Sequence, residues 1–418
     1  MKLRRKVHVL GGAHSTFIGK HHPDFIWKRH PDFGQRENPT IEEHLFKAVR
    51  DALVQTGVAA EEVQRGFVGN FTAECFVNQG HMGAMMAGAD PALAGKPMAR
   101  VEGACASGGL AVAWAVDSIQ AGWDIVLVAG AEVQTTVSAR QGADYLARAA
   151  DYARQRGIDD FTFPALFARR TKAYFEAFDK DHADLAPVVV KAYENASHNP
   201  HAHMQARRLA PGWAEAASDA NPTFLSNEAL SPYLKISDCS QVSDGATAMI
   251  LVSDAGLARL GRSADDVVRI LSCAQAANAL GDPTDLTRLE TTEAAAAIAY
   301  ADAGLAAADM EVAEVHDCFS VTELLMTEAL GFADRGQGAP LAASGATRRD
   351  GSIPVNTGGG LLAFGHPVGA TGVKQVLEIA KQMQGLCGDY QIATQPTKGI
   401  AANMGGDDRT AVVTTLGA

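Results

Sequence analysis

Apolar positions along the chain follow two rhythms. From Ile41 to Thr56 they recur at helical spacing, with Leu45, Ala48, Val49, Ala52 and Leu53 on one face, and Gly57 ends the pattern. Val63 to Val68 then reads as a strand. The same phrase returns later: residues 40–70 resemble residues 289–318, with Gly57 matching Gly304, Ala59-Ala60 matching Ala306-Ala307, and Val68 matching Val315 at one constant offset. A repeat of this kind points to two homologous α/β halves. Val7 to Leu10 reads as a first strand. Ile125 to Ala129 shows no polar alternation and predicts a strand buried on both faces. Further strands are expected at Thr247 to Ser253, Gln391 to Thr394 and Thr410 to Leu416. Asn403-Met404-Gly405-Gly406 is expected to turn between the last two. Residues 135–235 break the rhythm with irregular sequence rich in tryptophan, tyrosine and arginine, and Ala333 to Arg349 reads as a loop.

The chain is organised around Pro97 to Gly122. Met98 to Val101 predicts a strand entering the core. A turn of small residues, Gly103 to Gly109, carries Cys105 at its centre, and a helix apolar nearly all round follows from Leu110 to Ile119. A cysteine beside a helix N-terminus is expected to favour the thiolate and to serve as a nucleophile. The competing reading is a buried small hydrophobe.

Composition narrows the setting. The chain has 418 residues, 47% hydrophobic and 20% charged, as in a globular enzyme. A net charge of −12 argues against a general nucleic-acid binder. None of the six cysteines is spaced as CxxC, so a reducing, cytoplasmic setting is expected, with no zinc site or disulfide framework. The apolar run in MKLRRKVHVLGG is too short for a signal peptide, no stretch approaches a membrane span, and the ending LGA lacks the peroxisomal tripeptide. The 135–235 segment holds twelve basic and twelve acidic residues, neutral on an acidic chain; its Arg140, Arg148, Arg154, Arg156, Arg169, Arg170, Arg207 and Arg208 could meet a polyanionic ligand or lie on a solvated face. Residues 13–39 contain HPDF twice, at 22–25 and 30–33, and four histidines, His14, His21, His22 and His30. No spacing fixes those histidines together, so a surface loop or subunit contact is expected rather than a metal site.

Four short loops carry candidate chemistry: the Cys105 turn, His316-Asp317-Cys318-Phe319, Gly365-His366-Pro367, and Asn403 to Gly406. In duplicated α/β halves such loops meet at one edge of the sheets, where ligand sites form. His366 is a candidate base for Cys105.

Taken together, GACASGG (103–109), SDGA (243–246), HDCF (316–319), NTGGGLLAFGHPVGATG (356–372) and NMGG (403–406) resemble the thiolase family, in the family's order and over nearly the whole chain. HDCF with a C-terminal Asn-x-Gly resembles the sterol carrier protein type rather than thiolases with Asn-Glu-Ala-Phe and Cys-x-Gly at these positions.

The resemblance implies an αβαβα sandwich of two halves, residues 1–268 and 269–418, with an inserted CoA-binding loop domain at about 135–240. It implies acyl transfer between CoA thioesters through an acyl-Cys105, by Claisen condensation or thiolytic cleavage of a 3-oxoacyl-CoA. His366 would activate Cys105. His316 and His366 would serve the enolate, and the backbone N–H groups of Cys105 and Gly405 the tetrahedral intermediate. Asn403 cannot do acid/base work, which leaves Cys318 as the replacement. Ser240 matches a CoA-contacting serine. CoA and acetyl-CoA are expected as substrates, with no permanently bound cofactor. A homodimer or dimer of dimers is expected, with a small partner subunit as an option. Alternatives are a partner-dependent acyltransferase or retro-aldolase of the same fold, or a non-catalytic acyl-CoA-binding subunit.

Overall fold

The computed structural model describes residues 2–418. Nine strands form one sheet: β1 (Val7–His14), β2 (Arg65–Gly69), β3 (Met98–Val101), β4 (Ile125–Glu132), β5 (Gly245–Val252), β6 (Val268–Ala277), β7 (Val312–Val315), β8 (Lys398–Gly405) and β9 (Thr410–Gly417). Their order is β3-β2-β4-β5-β1-β6-β9-β8-β7. The order is nearly palindromic about the antiparallel β1–β6 pair, where Val7 faces Ile270 and Val9 faces Val268. β2 runs parallel to β3 and β4, as β7 does to β8. A single parallel bridge from Ala313 to Val355 stands where β3 would recur.

The repeat read from the sequence is a structural repeat. Helix Ile41–Thr56 ends on Gly57 at φ 67°, and helix Glu290–Ala303 ends on Gly304 at φ 68°. Each is followed by a short 3-10 turn, Ala60–Glu62 or Ala307–Asp309, and then by a strand. β4 shows why such strands are apolar throughout. Val126 and Val128 pack inward against helix Ser107–Gln120, while Ile125, Leu127 and Ala129 pack outward toward helix Ile41–Thr56. The Ser107–Gln120 helix and the equivalent Thr371–Gln384 helix lie against each other between the half-sheets, their Val112, Val116, Val373 and Leu377 sharing one core with Phe67, Ile270 and Leu416. Helix Glu290–Ala303 covers the far side of β6 and β9. The layers thus run helix, sheet, helix, sheet, helix.

The two central helices cross at their first turns. A Cβ on Gly372 would lie 2.0 Å from the Gly109 nitrogen, so neither SGG nor GATG tolerates a side chain there. A buried pair, Lys374 Nζ to Glu314 at 2.6 Å, ties the Thr371–Gln384 helix to β7.

Four expectations are corrected. Gln391 to Thr394 is not a strand; the last hairpin is β8–β9, and Asn403 to Gly405 lie inside β8 while the turn spans residues 406–409. Residues 135–235 are not mainly irregular: helices Ala139–Leu146, Thr162–Phe178 and His182–Ala196 account for much of them. The loop expected from Ala333 to Arg349 contains helix Gly338–Ala343. Residues 15–39 form irregular turns, and the HPDF repeat is a repeated cap: His22 Nδ1 accepts from Asp24 N, and His30 Nδ1 from Asp32 N, both at 3.1 Å. His14 instead binds Thr247 and Glu378, so the four histidines do not converge. Among the described residues no helix is long and apolar enough to cross a membrane. All six cysteines are free.

Candidate active site

Cys105 sits between β3 and the Ser107–Gln120 helix, in a turn that its sequence makes tight. Ala104 is held at φ 53°, a left-handed conformation costly for a residue with a Cβ. Ser107 fixes the turn: its hydroxyl donates to the Ala104 carbonyl at 2.6 Å and accepts from Gly103 N at 3.0 Å. His316 follows directly on β7. His366 stands between a helical turn at Gly360–Phe364 and the Thr371–Gln384 helix. The Cys105 sulfur and one ring nitrogen of each histidine all lie within 4.8 Å of one another. The two imidazoles meet edge to face, 5.1 Å between centroids. Cys105 and His316 stand at the C-terminal ends of parallel strands, where open α/β sheets place their ligand sites.

Hydrogen bonds distinguish the two histidines. Asn403 accepts from Gly109 N at 3.0 Å through its side-chain oxygen, and through its amide donates to the Cys105 carbonyl at 3.2 Å and to His316 Nδ1 at 3.1 Å. His316 Nδ1 is therefore an acceptor, and the ring proton sits on Nε2. That Nε2 is buried with no partner. His366 Nδ1 lies 2.6 Å from Thr371 Oγ1, and the Thr371 hydroxyl donates to the Pro367 carbonyl at 3.2 Å. In this arrangement Nδ1 carries the His366 proton and Nε2 is free to accept one. Burial lowers the His366 pKa to about 3, helped by the Lys374 charge, and burial holds His316 well below its usual value. Both rings are neutral at physiological pH.

The expected resting thiolate is not found. Burial pushes the Cys105 thiol up to about 12. The N–H groups of Gly406 and Cys105 itself face the sulfur and favour the anion, but the apolar surroundings outweigh them, and Glu132 and Glu102 add to the rise. At Gly405, one residue before Gly406, an added Cβ would lie 2.2 Å from the Gly103 carbonyl oxygen. Cys318 lines the same pocket outside the trio; burial raises its thiol well above the usual value, and the nearby Cys105 adds to this. Asp317 points away, accepting from Leu361 N at 2.6 Å; Gly360, at φ 62°, must be glycine because a Cβ would lie 2.1 Å from Asp317 Oδ2. Ser240 lines the pocket, with its N–H on the Cys318 carbonyl at 2.9 Å.

The sequence reading missed Glu132 and Thr371. Glu132 ends the apolar β4 and is fully buried. Its carboxylate accepts from Phe71 N, Thr72 N, Asn70 Nδ2 and Gly369 N, binding the loop after β2 to the turn after His366. Burial raises its pKa to about 7. A lone acid closing an all-apolar strand was the available signal. Of the eight arginines considered, Arg140, Arg148, Arg154, Arg156, Arg169 and Arg170 pair with aspartates of the chain itself. Arg207 and Arg208 are exposed and have no carboxylate partner among the described residues.

The pocket above Cys105 encloses about 440 Å³. Phe71, Leu146 and Phe163 gather around the sulfur.

A half-buried thiol beside one proton-accepting and one proton-donating imidazole, under an apolar pocket, defines a site for nucleophilic acyl chemistry. Residues 31–255 match the family model "Thiolase, N-terminal domain", and residues 273–418 match "Thiolase C-terminal domain-like". The chain belongs to the thiolase family and is an enzyme of the acyltransferase class. An acetyl-CoA acetyltransferase of Methanothermobacter thermautotrophicus is 37% identical over 87% of this chain and 90% of its own. The benzoylsuccinyl-CoA thiolase subunit BbsB of Thauera aromatica is 29% identical over 98% of this chain and 97% of its own. Among solved structures, the Ltp2-ChsH2(DUF35) aldolase shares the fold with a TM-score of 0.76 at 21% identity, covering 100% of this chain and 98% of that one.

Proposed function

We propose that this chain is a thiolase of the sterol carrier protein type, cleaving a 3-oxoacyl-CoA with CoA, or running the reverse Claisen condensation, through an acyl-enzyme on Cys105. The carrying observation is the Cys105, His316 and His366 trio within 4.8 Å, with the buried His316 Nε2 unpartnered. His366 Nε2 takes the Cys105 proton as sulfur attacks the 3-oxo carbon. The N–H groups of Cys105 and Gly405 are assigned to the tetrahedral oxyanion. The C2–C3 bond breaks, His316 Nε2–H donates to the enolate oxygen, and the Cys318 thiol protonates the enolate carbon, releasing acetyl-CoA. The raised Cys318 pKa keeps it protonated for this step. CoA then attacks the acyl thioester, its thiol proton passing to the Cys318 thiolate, and Cys105 recovers its proton from His366.

The motifs HDCF and NMG carry the subgroup assignment, and CoA enters beside Ser240 with no resident cofactor. We assign residues 1–268 and 269–418 as the two halves, with 135–240 as the CoA-binding insert, and place the enzyme in the cytoplasm as a homodimer or dimer of dimers. A second reading, a partner-dependent acyltransferase or retro-aldolase, draws on the fold shared with the aldolase complex and on the subunit name of the Thauera relative. A complete cysteine and base pair favours the thiolase reading.

The test is CoA-dependent loss of acetoacetyl-CoA absorbance. The wild-type chain should cleave it without added protein, Cys105→Ala should not, and Cys318→Ala should fall about 10²-fold while still accepting an acetyl group on Cys105. Cleavage only in the presence of a second subunit would favour the second reading.

A further inference from the structure

The pocket's walls carry information about the acyl group that the reaction alone leaves open. Among the described residues lining it, only Lys20, which is exposed, bears a full charge. Its histidines, His203, His316 and His366, are all held neutral by burial. The deep walls are phenyl rings. Phe71 and Phe163 stand beside Cys105, and Phe76, Phe161, Phe167 and Phe319 complete the enclosure.

The rings of the enclosure are held in place. Phe76 meets Tyr145 edge to face at 5.3 Å, Phe161 meets Phe224 at 5.5 Å, and Phe167 stacks on Phe319 at 4.5 Å. Rings braced in this way keep a fixed shape. An acetyl group on Cys105 would leave most of the phenyl faces around it without contact. A carboxylate-bearing acyl chain would enter an apolar enclosure without a counter-charge. A long, flexible chain gains little from a rigid chamber. A compact aryl group beside Cys105 meets ring edges and faces in the geometries aromatic pairs prefer.

Resting on the thiolase reading, we propose that the acyl group carried by Cys105 is an aromatic one of benzoyl size, so that the preferred substrate is a 3-aryl-3-oxopropanoyl-CoA. In the forward direction the C2–C3 bond of that substrate breaks. The aroyl group passes to Cys105 and then to the sulfur of CoA. The two-carbon fragment leaves as acetyl-CoA with the proton from Cys318. One CoA thiol is consumed, one aroyl-CoA and one acetyl-CoA are formed, and no oxidant or reductant is needed.

The test compares kcat/KM for benzoylacetyl-CoA, acetoacetyl-CoA and 3-oxohexadecanoyl-CoA on the full chain. The aryl substrate should exceed both by at least tenfold, and a benzoyl adduct should map to Cys105. Ala143→Phe, which narrows the chamber from the Ala139–Leu146 helix, should shift the benzoylacetyl to acetoacetyl ratio at least tenfold toward acetoacetyl-CoA. Equal or better cleavage of acetoacetyl-CoA or of the straight-chain substrate overturns the aryl assignment and leaves the thiolase reading standing. Failure to cleave any of the three, with no adduct on Cys105, overturns both.

Discussion

His316 receives its proton position from a residue outside the reacting group. Asn403 can donate to His316 Nδ1 only because Gly109 N occupies its oxygen, so one amide fixes the tautomer, the Cys105 carbonyl and the helix start together. Asn403→Asp would remove the donor and draw the ring proton to Nδ1, leaving Nε2 bare. We expect kcat to fall by about 10²–10³, the usual loss for one oxyanion donor, with a smaller change in KM and a folded protein by thermal melt. A kcat within twofold of wild type would show that His316 does not depend on that bond. The Cys105 thiol supplies a second prediction. With its pKa near 12, the rate of iodoacetamide modification should keep rising with pH past 9. A plateau between pH 6 and 8 would indicate a resting thiolate–imidazolium pair. Of the four site loops, the chemistry-bearing residues were legible in the sequence, because cysteine and histidine in glycine-rich turns stand out. The partners that tune them were less so: Thr371 and Glu132 passed unnoticed, and Asn403 was read only as a residue without acid/base chemistry, because its bonds to Gly109, Cys105 and His316 join positions far apart in the chain.

At the scale of elements, the helix–glycine–turn–strand unit was legible twice, because Gly57 and Gly304 serve the same left-handed cap. β6 was passed over and Gln391 to Thr394 misread, since short apolar runs look alike until their neighbours are known. Helix Ile41–Thr56 carries a cost that sequence does not reveal. His44 is buried against Ser15, with Nδ1 3.0 Å from Ser15 Oγ, and burial lowers its pKa to about 4. Its folded pKa lies below the unfolded value near 6.5, so the unfolded chain takes up a proton first as pH falls. The stability held by neutral His44 is complete above pH 6.5 and is lost between 6.5 and about 4. The size follows from the shift, roughly 3 kcal/mol at 1.36 kcal/mol per pH unit. His44→Gln lacks this titration, so its stability relative to wild type should rise as pH falls from 6.5 to 4. Denaturant melts at pH 7 and pH 5 measure this, and a constant difference between the two proteins would refute it.

The whole molecule has a near-palindromic sheet closed at the β1–β6 seam, with β3 left as an edge strand. Trp114, on the Ser107–Gln120 helix beside Phe67 of β2, is half-exposed at 51%, so this side of the sheet combines an open edge with an uncovered indole. Edges of this kind are commonly covered by another chain. Light scattering should therefore give a dimer or tetramer, with Trp114→Glu shifted toward monomer; a stable, active wild-type monomer would contradict this. The Cys105 sulfur is proposed to carry the acyl group between two CoA thioesters. The most direct test is to mix the full chain with acetyl-CoA, quench in acid and map the adduct by peptide mass spectrometry. One acetyl group per chain on Cys105, discharged by added CoA, is the expected result. An unmodified Cys105 peptide, or an acetyl group on another cysteine, would contradict it.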